Sequence, residues 1–244
     1  HHRISTSGTT KVQNLFRTLA RSSESSSVFH KPLQDREQFE RDYGWTHVHV
    51  IDTAVNVDFF QPQEEELPNQ IAFVGSMDWL PNQEGVEWFV QKVWPLVRQE
   101  HPDTVFKIVG RNPSRQVASL GDAPGVEVLG TVPDVRPYLN QAAVVVTPLL
   151  VGGGTRIKIF EAMAMGMPAS CFAAHGVLQL LDTASTEQVS EIGDFKAFCD
   201  KLTDIVTTPD LALRLGAANR SGSARYSIDS MVDSYERLYH QLLS

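Results

Sequence analysis

From about residue 70 onward, the chain alternates between short apolar runs and segments whose apolar residues recur at helical spacing. The runs predict buried parallel strands, because each is brief, continuous and rich in β-branched residues; they cover 71–75, 105–110, 126–130, 142–148 and 169–174. Helical spacing predicts one helix carrying the apolar positions from Val86 to Val97. Further helices are predicted from Asp134 through Leu139 and over 156–165, 194–206, 210–220 and 227–243. The alternation predicts an α/β fold with a Rossmann-like parallel sheet flanked by helices.

The chain before residue 70 has a different pattern. Residues 1–30 are polar and rich in serine, and they are followed by a predicted helix at 35–43 and a predicted strand at 47–51. Residues 61–69 contain three consecutive glutamates and two prolines, which is typical of a linker. We therefore place a domain boundary here. This boundary divides the chain into residues 1–66, which include most of the predicted linker, and residues 67–244.

Composition narrows the class of function. The 244 residues carry a formal net charge of −8, which argues against nucleic acid as a partner, because phosphate backbones are bound by surplus Lys and Arg. No stretch approaches the roughly 18 to 20 apolar residues of a membrane-spanning helix. The two cysteines, Cys171 and Cys199, have no metal-type spacing. These features predict a cytoplasmic protein with free thiols and no metal site.

A cationic helix start follows the glycine run Gly152–Gly154. Thr155 is a good N-cap residue, which places Arg156 and Lys158 in the first helical turn. Each cation costs about 0.3–1 kcal/mol there, because the helix N-terminus is already positive. The arrangement is favourable if an anion binds, since glycines allow close approach and free amides suit a diphosphate. The alternative is a flexible glycine loop with two solvated cations.

Glu161 lies one turn further along the same predicted helix. A helical wheel places it near Ile157 and Ala164, towards the apolar face. A carboxylate in that position needs hydrogen-bond partners. Two interpretations stay open: an ion pair with Lys158 three residues earlier, or acceptance of hydrogen bonds from the vicinal hydroxyls of a ligand's sugar. The neighbouring phosphate-type loop favours the sugar.

Four motifs stand in order along the chain: Phe73–Asn82, Ile108–Pro113, Gly130–Val135 and the Gly-Gly-Gly-Thr-Arg-Ile-Lys-Ile-Phe-Glu-Ala-Met-Ala segment at 152–164. Together they resemble the C-terminal half of group 1 (family 4) glycosyltransferases. The resemblance runs from about Val48 to the C-terminus and is densest from Ile71 to Pro168. Four ordered motifs over nearly a hundred residues are much more specific than one glycine signature.

The resemblance implies a GT-B enzyme with two Rossmann-like domains. Residues 67–244 would be the nucleotide-sugar donor-binding domain, and residues 1–66 the end of the acceptor domain plus the linker. It further implies retention of anomeric configuration, a UDP- or GDP-type sugar as donor, no cofactor and no obligatory metal. Polysaccharide or glycolipid biosynthesis of a bacterial type is the expected pathway.

The resemblance also assigns roles to residues. Glu161 matches the second glutamate of an E-x7-E motif, which binds the donor ribose, while the first glutamate would fall at Gly153 and is absent. Cationic residues that many relatives place near Ser76 to Asn82 are absent too. The predicted diphosphate-binding residues are therefore Arg156, Lys158, Gly75, Ser76, Gly153, Gly154 and Thr155, with Gly75 and Ser76 offering backbone donors. The nucleobase region is Gly110 and Arg111.

Some segments depart from the family pattern. Asp52–Asn56 replaces the usual Pro-Asn-Gly-Val-Asp, and His175–Leu178 lacks the glutamate of the Gly-x-Glu-Gly motif. Nearly all of the acceptor domain is missing from the sequence, so the chain alone is expected to bind without turnover. A second hypothesis follows, namely a truncated or decayed, non-catalytic module for nucleotide binding or interaction. Peripheral membrane association through the missing domain stays open.

Overall fold

The computed structural model describes residues 28–29, 40–45, 48–62, 70–150, 157–173, 177, 181 and 185–243. Its strands are short, and all of the sheet pairings are parallel. They are β1 (Val28–Phe29), β2 (His49–Val50), β3 (Gln70–Val74), β4 (Val105–Val109), β5 (Val126–Gly130), β6 (Val144–Thr147), β7 (Ala169–Phe172) and β8 (Val189–Ser190).

Helices separate most of these strands. They are α1 (Leu80–Lys92), α2 (Trp94–Glu100), α3 (Arg115–Ala118), α4 (Arg136–Asn140), α5 (Ile157–Ala164), α6 (Ser185–Gln188), α7 (Phe195–Thr207), α8 (Pro209–Ser223) and α9 (Ile228–Leu243). Short 3₁₀ turns follow α3 at Ser119–Asp122 and α8 at Ala224–Tyr226.

The main sheet has six strands in the order β5-β4-β3-β6-β7-β8, and β1 pairs with β2 separately. The chain builds outward from β3 to β5 and then returns to the other side of β3 with β6. In such a doubly wound sheet, a crevice opens at the carboxyl ends of the two strands where the order reverses, here β3 and β6. The predicted α/β fold with a parallel sheet flanked by helices is confirmed.

One face of the sheet carries a large aromatic core. Alternate residues of β3, Ile71 and Phe73, point into it and are fully buried. Helices α1 and α7 cover this face, with Phe89 packed on Phe106 at a ring-centroid distance of 4.6 Å and Phe198 packed on Phe172 at 4.7 Å. The apolar residues whose spacing predicts these two helices therefore pack into this core.

Helix α5 lies on the opposite face. Ala162 and Met165 pack there against Val74 and Val145, the residues that alternate with the aromatic face. The chain leaves α5 through Gly166 at a φ of 71°, a left-handed conformation that glycine adopts without strain. The predicted helix end at Gly166 is confirmed.

The segment before the predicted linker packs onto the C-terminal helices. The amide of Val55 donates to the carbonyl of Tyr226 at 2.9 Å, and Val55 is buried. The Arg220 guanidinium donates to the carbonyls of Val57 and Phe60. Residues 63–69, most of the predicted linker, lie outside the described residues, as do 35–39 of the predicted first helix.

Several boundaries differ from prediction. The single helix predicted through Val97 is two helices, because Pro95 has no amide to continue the ladder and a new helix begins at Trp94. Asp134 precedes α4 by two residues, and its carboxylate accepts from the amide of Arg136 without being the N-cap. In the described part of the strand predicted at 47–51, His49–Val50 pairs with β1, while residue 47 lies outside the described residues. The short elements α3, α6 and β8 were not predicted.

Candidate functional site

The loop from Gly75 to Trp79 follows β3 at the crevice and is fastened by two amide side chains. In the first turn of α1, Asn82 donates from Nδ2 to the carbonyl of Ser76 at 2.6 Å. The next residue, Gln83, donates from Nε2 to the carbonyl of Met77 at 2.7 Å. Both side chains bind backbone of the loop, so the start of α1 and the end of β3 form one fixed unit.

Lys158, the second residue of α5, reaches this unit. Its Nζ donates to Oδ1 of Asn82 at 2.6 Å and lies 4.2 Å from the centroid of the Phe73 ring. A Cβ added to Gly75 would lie only 2.7 Å from the same Nζ. The ammonium therefore sits directly over the glycine that ends β3, at the carboxyl edge of the sheet.

This placement bears on the ion-pair interpretation of Glu161, while its contact with a ligand's sugar stays a prediction. Within the described residues, no ion pair joins Lys158 to Glu161, although Lys158 is close enough to act electrostatically on that carboxyl. Burial raises the pKa of Glu161 to about 7, and the positive charge of Lys158 partly opposes this shift. A half-buried carboxyl that is poised between its charged and neutral forms near neutral pH is a frequent property of binding and catalytic sites.

Two of the glycines predicted at the site, Gly75 and Gly110, use their amides in the sheet, and the place of Gly110 in the nucleobase region stays a prediction. The amide of Gly75 donates to the carbonyl of Val109 at 2.9 Å, and that of Gly110 donates to Gly130 at 3.0 Å. The prediction that Gly75 supplies a backbone donor is therefore wrong, because its amide belongs to the sheet. A Cβ on Gly110 would lie 1.8 Å from the carbonyl oxygen of Gly75, so only glycine fits there.

Ser76 keeps a backbone donor. Its amide makes no hydrogen bond within the ranges described above, while its hydroxyl donates to Asp78 at 2.9 Å. The predicted contact of Ser76 with a diphosphate therefore stays a prediction that is limited to this amide.

Arg111, predicted beside the nucleobase, is part of an exposed polar cluster. Its Nε lies 2.8 Å from a carboxylate oxygen of Asp78 and donates to the Ser76 hydroxyl at 3.1 Å. Asn112 adds a hydrogen bond to Asp78 at 2.9 Å from a backbone with a φ of 54°. The hydrogen bonds from Asn112 and Ser76, together with Arg111, hold the pKa of Asp78 below its usual value. The cluster joins the loop after β3 to the loop after β4, and the role of Arg111 at a base stays a prediction.

Asn82 is a site residue that sequence reasoning missed. It is 4% exposed, yet both ends of its amide are used, one by Ser76 and one by Lys158. A polar residue just after Pro81 in the first helical turn is ordinarily solvated, so the sequence contains no signal that this one is buried. Thr147, at the end of β6, was missed as well. Its hydroxyl is buried and has no hydrogen-bond partner among the residues that the structure describes.

Four predicted diphosphate ligands, Gly153, Gly154, Thr155 and Arg156, lie outside the described residues. Over the ranges that are described, no group of three or more His, Cys, Asp or Glu side chains is arranged to hold a metal ion. No helix in that same part of the chain is long and apolar enough to cross a bilayer.

Comparisons with known proteins bear on the family and the fold of the chain. A family model described as glycosyl transferases group 1 matches residues 68–208. An uncharacterized 44.6 kDa protein in the cps region of Klebsiella pneumoniae is 25% identical over 101 residues, which is 38% of this chain and 26% of that protein.

Solved structures share the fold at low identity. TarM from S. aureus, in a complex that contains UDP, superposes with a TM-score of 0.74 at 15% identity, over 87% of this chain and 43% of TarM. HepE from Anabaena, in complex with UDP and glucose, gives a TM-score of 0.71 at 14% identity, over 94% of this chain and 66% of HepE. The chain thus spans less than two thirds of the length of each of these proteins.

Proposed function

Because the chain belongs to the group 1 glycosyl transferases, whose family model matches residues 68–208, we propose that it binds the nucleoside-diphosphate sugar donor of such an enzyme. The site is the crevice at the carboxyl ends of β3 and β6. TarM and HepE were each solved with UDP, so a uridine nucleotide is the first donor to test, with GDP second.

The observation that carries the proposal is the position of Lys158. Its ammonium lies over Gly75 at the carboxyl edge, and a neutral amide, Asn82, accepts its hydrogen bond there. It also lies in the first turn of α5, where the helix dipole is positive and an anion is favoured. A diphosphate would meet a side-chain cation and a helix N-terminus at one point, and Arg156 would add a second cation.

Glu161 provides the contact for the sugar of the nucleotide. It lies one turn after Lys158 on α5, so a ligand whose diphosphate meets Lys158 brings its ribose towards Glu161. Ribose hydroxyls donate hydrogen bonds, and a carboxylate that gains donors favours its ionised form. The carboxyl of Glu161, whose pKa is about 7 in the free protein, would then ionise as the nucleotide binds.

In the transfer reaction, the nucleoside diphosphate departs and negative charge builds on its oxygens. Lys158, Arg156 and the start of α5 would stabilise that charge, which is electrostatic stabilisation of the transition state. The family resemblance adds retention of configuration and a bacterial-type polysaccharide or glycolipid pathway. A cytoplasmic location and peripheral membrane association through an acceptor domain belong to the same proposal.

Calorimetry tests nucleotide binding directly. The intact folded chain is titrated with UDP, GDP and ADP, and with uridine as a ligand without phosphate. We expect at least one diphosphate to bind with sub-millimolar affinity and uridine to bind at least about tenfold more weakly, since a charge-assisted hydrogen bond contributes about 1.5–3 kcal/mol. Absence of binding by all three diphosphates at millimolar concentration would overturn the proposal.

A donor-hydrolysis assay separates this function from the non-catalytic alternative. The departures at Asp52–Asn56 and His175–Leu178 favour a module that binds nucleotide without turnover. Hydrolysis of a UDP- or GDP-sugar that is abolished by Lys158→Met would establish a catalytic domain. Binding without hydrolysis would favour the module.

A further inference from the structure

We propose that Asn82 is a positioning residue for the donor: it fixes the ammonium of Lys158 at the carboxyl end of β3 without neutralising its charge. This inference rests on the proposed function and extends it to Asn82, the last residue of the Phe73–Asn82 motif, which had no assigned role in the sequence analysis. Asn82 acts through Lys158 and does not itself touch the donor.

The amide of Asn82 can adopt only one orientation. The carbonyl of Ser76 accepts hydrogen bonds and so must face Nδ2, and it does so at 2.6 Å. The ammonium of Lys158 only donates and so must face Oδ1, again at 2.6 Å. Because the first bond fixes the orientation of the amide, it also fixes the point in space at which Lys158 is received.

Two further residues, Phe73 and Gly75, lie next to the Lys158 ammonium. The Phe73 ring lies below Nζ with its centroid at 4.2 Å, and Gly75 leaves the space that a Cβ would fill. The aromatic face attracts a cation without cancelling its charge. These three neighbours of the ammonium, an amide oxygen, a ring and a glycine backbone, are each neutral.

The groups around the ammonium explain why asparagine suits position 82 better than aspartate. Aspartate has nearly the same shape, but its carboxylate would form a partly buried ion pair with Lys158 and would compete with an incoming diphosphate. It would also place a second acceptor against the carbonyl of Ser76. An amide positions the cation without itself cancelling the charge.

A double-mutant cycle tests whether Asn82 acts through Lys158. UDP affinity is measured by calorimetry for the unmodified chain, Asn82→Ala, Lys158→Met and the double variant. We expect Asn82→Ala to weaken UDP binding about tenfold. In the Lys158→Met background the same substitution should change UDP affinity less than twofold, because there is no cation left to position. Uridine affinity should stay the same in Asn82→Ala.

Gln83→Ala is the matched control. Gln83 is the neighbouring residue, also fastens the loop after β3, and makes its 2.7 Å hydrogen bond to Met77 rather than to Lys158. We expect it to lower the midpoint of thermal unfolding as Asn82→Ala does, yet to keep UDP affinity within about twofold. A loss of affinity equal to that of Asn82→Ala would show that loop fixation matters and not the lysine, which overturns the inference.

Asn82→Asp keeps the volume of the side chain. This variant tests the same inference if Asn82→Ala does not fold. It should weaken UDP binding by at least about tenfold, because a carboxylate now neutralises Lys158. The inference would be overturned if Asn82→Asp kept its UDP affinity, or if Asn82→Ala lowered UDP affinity equally in the unmodified chain and in the Lys158→Met background. The proposal that the chain binds nucleotide would survive either result. If the unmodified chain binds no diphosphate, the proposed function and this inference fail together.

Discussion

The Nζ of Lys158 and the Oδ1 of Asn82 lie 2.6 Å apart although 76 positions separate the two residues in the chain. Lys158 is the second residue of α5, the next described helix after β6, and Asn82 is the third residue of α1, the helix that follows β3. The contact therefore exists only because the sheet places β3 and β6 side by side. The contact between Lys158 and Asn82 therefore lies at the topological switch point of the sheet, which is where ligands bind in such sheets.

Gly75→Ala should disturb this contact most directly. The added Cβ would lie 2.7 Å from Nζ of Lys158 and 2.9 Å from Nδ2 of Asn82, so both side chains must move. We expect UDP affinity to fall at least about tenfold and the free energy of unfolding to fall by about 1–3 kcal/mol, the usual cost of overpacking. Calorimetry and urea unfolding measure the two effects.

Gly121→Ala is the control for the glycine substitution. Gly121 is exposed, and a Cβ there would have only ordinary contact with Val128 at 3.8 Å. Its UDP affinity and stability should match those of the unmodified chain. If Gly75→Ala also kept full UDP affinity, the position of Lys158 over Gly75 would have no part in binding.

The family, the parallel sheet and most of its elements were predictable because their signals are local. Buried parallel strands need continuous apolar runs, so β3 to β7 are visible in the sequence. The end of α5 was predictable for the same reason, since Gly166 must adopt a positive φ there. Two-residue β8 escaped prediction because Val189–Ser190 is too short to form an apolar run.

The site was predictable only in outline. Motifs within one segment identify Lys158 and Glu161, but the partner of Lys158 comes from another segment and depends on the order of strands in the sheet. The sequence also does not show that Gly75 and Gly110 pack on each other, so that the carbonyl of Gly75 excludes a side chain at Gly110. Whether a glycine makes room for a ligand or for another strand is a tertiary property.

Glu161→Gln should change how stability depends on pH. The carboxyl has a pKa of about 7 in the folded chain and near 4.5 when unfolded, so between these values the folded chain holds a proton that the unfolded chain has lost. The free energy of unfolding should therefore fall, by roughly 2–3 kcal/mol, as pH rises from about 4.5 to 7. The glutamine side chain cannot ionise, so urea unfolding of the variant should lack this decline and show higher stability than the unmodified chain at pH 8.

The exposed Glu191 supplies the comparison, because Glu191→Gln removes the same charge from a solvated position. Its stability should follow the unmodified chain at every pH. If Glu161→Gln showed the same decline between pH 5 and 7 as the unmodified chain, the half-buried carboxyl would not be its source.

Gly216→Ala should be among the most destabilising small substitutions in the chain. A Cβ on Gly216, in the middle of α8, would lie 2.1 Å from the carbonyl oxygen of Gly166, and backbone cannot move aside as a side chain can. We expect a loss of about 2–4 kcal/mol in urea unfolding. On the same helix, Gly222→Ala meets only the flexible end of Met163 at 3.4 Å and should be neutral or gain up to about 1 kcal/mol from helix propensity. Equal effects of the two substitutions would contradict close packing of α8 on Gly166.

Helix α8 carries Arg214 and Arg220. Counting ion pairs would rank Arg214 as the more stabilising of the two, but we expect Arg220 to contribute more. Arg214 donates twice to the carboxylate of Glu187, but both side chains are largely exposed, so the pair is expected to contribute less than about 1 kcal/mol. Arg220 has no carboxylate in these contacts. It donates to the carbonyls of Val57, Phe60 and Ala164, the last of which is at the C-terminus of α5, where a cation is favoured.

Arg220→Met leaves those three carbonyls without their donor and releases the segment before the predicted linker, so we expect a loss of about 2–3 kcal/mol. Arg214→Met removes a pair that water and salt already screen. Urea unfolding at low salt and in 1 M NaCl distinguishes them: the effect of Arg214→Met should shrink in high salt, while that of Arg220→Met should persist because its acceptors are neutral. If Arg214→Met proved the more destabilising variant under both conditions, the contact of Arg220 with residues 57–60 would not hold that segment to the sheet domain.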